Sequence, residues 1–127
     1  LDAKLAHRLA SHEEDDACMR INKYYVSQYA YLIEKLASMK EGEGTVLDNS
    51  CLVFMSNMWS GKNHDNSKVP LLTAGGLGGT LATGRVLDYT DARNDNRKLC
   101  SLYLSLMDRM DVKVEKFGDA TTRLANI

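Results

Sequence analysis

Cys51-Leu52-Val53-Phe54-Met55, the polar stretch Ser56-Asn57-Met58-Trp59-Ser60-Gly61-Lys62-Asn63-His64-Asp65-Asn66, and then Val69-Pro70-Leu71-Leu72-Thr73-Ala74 decide how this chain folds. The first run is unbroken, apolar and rich in strand formers, which predicts a central strand buried on both faces. The second has its proline near the start, where a missing N–H is best tolerated in a strand. Only Asn57 to Lys68 lie between them, too few residues for a comfortable helical crossover. An antiparallel pair joined by a functional loop is therefore expected.

Upstream, Ile21, Tyr25, Tyr29, Leu32, Leu36 and Met39 recur at helical spacing between Asp15 and Lys40, and Tyr24, Tyr31 and Ile33 widen the stripe. Glu13, Glu14, Asp15 and Asp16 stand where they complement the positive end of a helix dipole, so the helix is expected to start near Asp15. Gly42 and Gly44 offer a flexible stop, and Asp48-Asn49-Ser50 reads as a turn. Downstream, Gly75-Gly76-Leu77-Gly78-Gly79 reads as a mobile loop and Thr80 to Tyr89 as a small hairpin around Thr83-Gly84. Leu99, Leu102, Leu106 and Met110 mark a second amphipathic helix from Asn96 to Met110, with Asp95 or Asn96 as its cap. The expected core joins Ile21, Leu32, Leu36, Val53, Leu71, Leu102 and Leu106.

A chain of 127 residues, 44% hydrophobic and 26% charged, suits one α/β domain, a small sheet with flanking helices spanning residues 1–127. The net charge is -1 and the basic residues are scattered among acids, so no nucleic-acid partner is expected. No apolar run approaches the roughly eighteen residues of a membrane span, and no membrane association is expected. Cys18, Cys51 and Cys100 are odd in number and widely spaced, which fits buried thiols better than disulfides or a cysteine zinc site.

The loop between the two strands carries the strongest chemical signal, because ligands in open α/β sheets bind beyond the carboxyl ends of strands. His64 and Asp65 offer a nitrogen and a carboxylate oxygen to a divalent metal, and Ser56 and Asn57 offer neutral oxygens for substrate. The competing reading of His64-Asp65 is a solvated turn with an Asx-type hydrogen bond. His7 and His12 are five apart, not the four that a helical zinc-protease motif needs, and are read as surface histidines. The glycine run lacks a following Gly-Lys-Ser/Thr and is no phosphate cradle. The tyrosines at 24, 25, 29 and 31 suit a core or interface role.

Ile21-Asn22-Lys23, Tyr29-Ala30-Tyr31-Leu32, Leu47-Asp48-Asn49-Ser50, Ser56-Asn57-Met58, His64-Asp65, Val69-Pro70-Leu71-Leu72, Ala74-Gly75-Gly76, Gly84-Arg85 and Phe117-Gly118-Asp119 form an ordered series. In that series the chain resembles the C-terminal portion of a bacterial family called the 1552 family of domains of unknown function, from about Ile21 to Leu124. That family is similar to the alkaline-phosphatase-like and sulfatase superfamily. The resemblance implies the C-terminal fragment of a three-layer phosphatase-like fold whose metals lie at the carboxyl edge of a mostly parallel sheet. Ser56-Asn57-Met58 then stands where such enzymes carry an Asp-His metal pair, which is absent here. His64 before Val69-Pro70 matches the later metal-binding histidine, while Asn66 replaces a second histidine that the 1552 family often shows.

The resemblance thus implies part of a metal-dependent phosphate or sulfate ester hydrolase, incomplete by itself. A divalent metal such as zinc would belong to the full-length parent and bind this fragment weakly or not at all. The alternative is a non-catalytic binding or structural module that keeps the fold without metals. The expected partners are the missing N-terminal half of the parent and further copies of the chain, as a homo-oligomer that hides an open sheet edge. Localisation is not readable from the chain itself, and the resemblance points to export or the periplasm.

Overall fold

The computed structural model describes residues 4, 7, 8, 16–91 and 97–127. It is a small α/β protein with two small antiparallel sheets and helices. The chain divides into two compact units, Leu1–Gly75 and Gly76–Ile127.

In the first unit, α1 (Asp16–Ser38) follows the helical stripe. It gives way to β1 (Lys40–Glu41) and β2 (Gly44–Thr45), a hairpin that pairs Lys40 with Thr45 and Glu41 with Gly44. The glycines expected as a plain helix stop thus make a turn, and Gly42 supplies the positive φ, 58°, that a tight hairpin needs. The segment read as a turn, Asp48-Asn49-Ser50, instead ends a short helix, α2 (Val46–Asn49). Thr45 and Asp48 form its capping box. The Asp48 N–H donates to Thr45 Oγ1 at 3.3 Å, and the Thr45 N–H donates to Asp48 Oδ2 at 2.8 Å.

β3 (Leu52–Met55) and β4 (Leu71–Ala74) pair antiparallel, as their short connection requires, from Leu52 opposite Ala74 to Met55 opposite Leu71. Tyr29 on α1 fastens the helix to this pair, its hydroxyl 3.1 Å from the Leu52 carbonyl oxygen and its ring centroid 5.3 Å from that of Phe54. The expectation of a buried central strand is corrected here. Among the described residues β3 pairs with β4 alone, and every residue of β3 is half-buried. Among the described residues the first unit adds to this pair only α1, the β1–β2 hairpin and the four-residue α2, too little structure to enclose an apolar run on both faces. For the same reason Ile21, Leu36, Val53 and Leu71 are half-buried and Leu32 is exposed, so these members of the expected core are not deeply enclosed.

In the second unit, α3 (Leu99–Arg109) carries the buried core: Leu102, Leu104 and Leu106, with Ala120 from the tail. Lys98 occupies the N-cap position without a side-chain cap, and the expected caps Asp95 and Asn96 lie outside the described residues. Thr80 to Tyr89 contains no strand, so the expected hairpin is absent. Gly84 turns the segment with φ 71°.

The C-terminal tail wraps α3. The Leu124 N–H donates to the Ser101 carbonyl at 3.1 Å, and the Ser105 hydroxyl donates to Leu124 O at 3.1 Å. Small serines at these two buried positions let the tail approach the helix backbone. Arg123 grips Asp108 through two hydrogen bonds of 2.8 and 3.0 Å, and Arg109 reaches the backbone carbonyls of Ser105 and Ile127. Tyr103 and Phe117 meet edge to face. Cys18, Cys51 and Cys100 form no disulfide and are half-buried, not fully enclosed as expected. Among the described residues no helix is long and apolar enough to cross a membrane.

Candidate functional site

The loop leaving the carboxyl end of β3 is closed on itself by its backbone. The Trp59 N–H donates to Asp65 O at 2.7 Å, and the Asp65 N–H donates to Ser60 O at 2.9 Å, making a short antiparallel bridge between Ser60 and Asp65. Four residues, Gly61 to His64, turn between the bridged positions, with the His64 N–H donating to Gly61 O at 3.2 Å. The Ser60 hydroxyl oxygen accepts from Asn63 through both the backbone N–H and the side-chain amide, at 3.4 and 3.2 Å. Closing the turn puts His64 in the left-handed region, φ 51°, a sparsely populated conformation for a residue with a side chain.

The four residues expected to form the site differ in what occupies them. His64 is exposed at the turn. Asp65 is half-buried, and its carboxylate accepts the Ser67 N–H at 2.8 Å. Hydrogen bonds from Ser67 hold the Asp65 carboxyl below the usual carboxylate range, aided by the charge of Lys68. This Asx-type bond matches the turn weighed as the competing reading of His64-Asp65. The Ser56 hydroxyl donates to Met58 O at 2.8 Å and accepts the Met58 N–H at 3.3 Å, which folds the chain back as it leaves β3. Asn57 is exposed beside it. The loop therefore brings His64 and Asp65 together at its turn, and Ser56 and Asn57 at its root. His7 is exposed as expected, and His12 lies outside the described residues.

Among the described residues no group of three or more His, Cys, Asp or Glu side chains is placed to hold a metal ion. A zinc site takes three or four protein ligands. His64 and Asp65 offer two, and one of these is already engaged with Ser67, so the described residues at this loop do not make a complete metal centre.

One loop feature had no assigned role in the sequence. Trp59 is exposed, and the Lys68 ammonium stands 5.6 Å from its ring centroid. The available signal was that this is the only tryptophan in the chain, set in a polar loop with a lysine near its far end. Compared with known proteins, the chain matches no family model, no curated protein and no solved structure.

Proposed function

We propose that this chain is the C-terminal segment of a phosphatase- or sulfatase-like, metal-dependent ester hydrolase with the alkaline-phosphatase-like architecture, and that it contributes His64 to a composite site. The observation that carries the reading is the loop leaving the carboxyl end of β3, which presents an exposed His64 shortly before β4. The remaining ligands and the nucleophile would come from outside this segment. Two candidate donors do not complete a metal shell by themselves. What the chain itself supplies is one imidazole on a backbone-closed turn, with neutral hydrogen-bonding groups at the loop's root.

One observation favours a second reading, a non-catalytic binding module: the Asp65 carboxylate serves the loop's own backbone through Ser67. The deciding experiment expresses the complete reading frame and measures bound zinc together with hydrolysis of phosphate and sulfate monoesters. The hydrolase reading expects activity that His64→Ala abolishes along with part of the bound metal. A folded full-length protein that binds no metal and cleaves neither ester would leave the binding module.

A further inference from the structure

Ala82 to Asp88 is a run of seven residues that are all exposed and lie in no helix or strand. Hydrogen bonds between main-chain groups stop at Leu81, whose N–H donates to Gly76 O at 3.1 Å, and among the described residues none involves Ala82 to Asp88. A peptidase cleft needs such a stretch, because it takes up its substrate as an added strand through main-chain hydrogen bonds. The run is held at both ends within the second unit. Before it, Arg109 Nε donates to Thr80 O at 3.1 Å, and after it the Tyr89 hydroxyl donates to Ala125 O. Inside it, Gly84 has φ 71° and nothing within 4 Å of its Cβ position, so it can swing to an extended conformation without steric cost.

Arg85 is the one basic residue of the run, and Val86 after it is 96% exposed. Its side chain is lightly held. Arg85 Nε donates to Ala82 O at 3.2 Å, an exposed bond that a carboxylate in a specificity pocket replaces with a stronger one. Basic residues elsewhere are less open on their carboxyl side. Lys68 and Lys113 are followed by the half-buried Val69 and Val114, and Pro70 comes next after Val69. Lys116 is followed by Phe117, whose N–H donates to Ala120 O at 3.0 Å and whose ring meets Tyr103. Arg20, Lys23 and Lys35 lie within α1 and Arg109 within α3.

We propose that the Arg85–Val86 peptide bond is a processing site for an arginine-specific endopeptidase. The peptidase's nucleophile adds to the Arg85 carbonyl carbon, the bond to the Val86 nitrogen breaks, and Val86 leaves as an amine that takes up a proton. Water then releases Arg85 as a carboxylate, so one amide and one water become a new C-terminus and a new N-terminus. Its position makes the cut a limited one. α1, α2 and both sheets lie in residues 1–85, while α3, its tail and the buried Leu102, Leu104 and Leu106 lie in 86–127, so no helix or strand is broken. The site is independent of the hydrolase reading.

Trypsin at low ratio on the native 127-residue chain, with products followed by mass spectrometry, provides the test. After any trimming ahead of Asp16, the first products are the complementary pair ending at Arg85 and starting at Val86, and the nicked protein keeps its circular dichroism. Arg85→Gln removes this pair and slows loss of the intact chain about tenfold, because the remaining basic bonds wait on local opening. Arg85→Lys restores the pair. A first internal cut at another basic residue, Lys68 or Arg93 among them, an unchanged rate in Arg85→Gln, or degradation of either half as fast as the nick forms would overturn the proposal.

Discussion

The phenol of Tyr29 donates to the main-chain carbonyl of Leu52 at 3.1 Å, joining the middle of α1 to the first residue of β3 across 23 positions of sequence. The same hydroxyl lies 3.4 Å from Leu72 O on β4, so one side chain addresses both strands. With every residue of β3 only half-buried, this polar contact and the Tyr29–Phe54 ring contact carry much of the specificity with which the helix meets the sheet.

Tyr29→Phe keeps the ring and removes the hydrogen bond, and is expected to cost about 1 kcal/mol in urea unfolding. Burial, and then the nearby Cys51, raise the Tyr29 pKa above its ordinary value. A group whose folded pKa is raised gives stability that is full below its unfolded pKa and is lost as pH rises through the folded value. Wild-type protein should therefore weaken above about pH 10, and Tyr29→Phe should lose less over the same range. Equal alkaline sensitivity in the two proteins would place the titration elsewhere.

The periodic part of this architecture was legible and the enclosing part was not. Tyr29 and Leu36 fall on the stripe because helical period is written in a single segment, and the antiparallel β3–β4 pair follows from a connection too short to cross over. Leu32 sits on the same stripe yet is 47% exposed, because apolarity states what a residue can bury and not whether another element arrives to cover it. α2 was missed although Thr45 and Asp48 carry the spacing of a capping box, since a four-residue helix has no apolar period to announce it. At the loop, the chemical types of His64 and Asp65 were readable. The Asx-type bond by which Asp65 engages Ser67 was one of the two readings those residue types allow, whereas the outward Trp59 arises from the turn's backbone path, which side-chain identity does not encode.

Gly75 should be the least replaceable glycine in the first unit. Its φ is 97°, and a Cβ there would stand 2.2 Å from the Ser50 carbonyl oxygen and 2.8 Å from that of Leu47, both backbone atoms that cannot swing aside. Gly75→Ala is expected to cost about 3 kcal/mol, from left-handed strain together with a displaced exit from β4. Gly78 makes the control. Its φ is also positive but nothing lies within 4 Å of its Cβ position, so Gly78→Ala should cost only about 1 kcal/mol. Chemical denaturation of the two variants gives the comparison, and similar losses would mean that the clash at Gly75 is relieved by local movement.

Self-association is expected through the open surfaces of the first unit. On α1, Met19 is 70%, Tyr24 55% and Tyr31 57% exposed, and β3 has a partner on one edge only among the described residues. Light scattering over a range of protein concentrations should give a mass that rises toward a dimer, and Tyr24→Ser with Tyr31→Ser should shift it toward the monomer. A monomer mass independent of concentration would defeat this expectation.

The second unit should be acid-sensitive through one ion pair. Arg123 holds Asp108 with hydrogen bonds of 2.8 and 3.0 Å and also donates to Val114 O at 2.7 Å, so a single guanidinium ties the tail to the last turns of α3. The hydrogen bond from Arg123, and then the charges of Arg123, Lys113 and Arg109, hold the Asp108 carboxyl below its ordinary value. A depressed folded pKa gives stability that is present above the unfolded pKa, near 4, and is lost as pH falls through the folded value. Lowering the pH below about 4 should then release the tail before it unfolds α3, since Leu102 and Leu104 are apolar and do not titrate. Amide hydrogen exchange can follow this through Leu124, whose N–H is bonded to Ser101 O. Its protection should fall with acid in the wild-type protein and be low already at neutral pH in Asp108→Asn, where the charge that orients Arg123 is gone. If Leu124 stays protected in the variant at neutral pH, the tail is held by its backbone contacts and Ala120 packing, and the ion pair is a bystander.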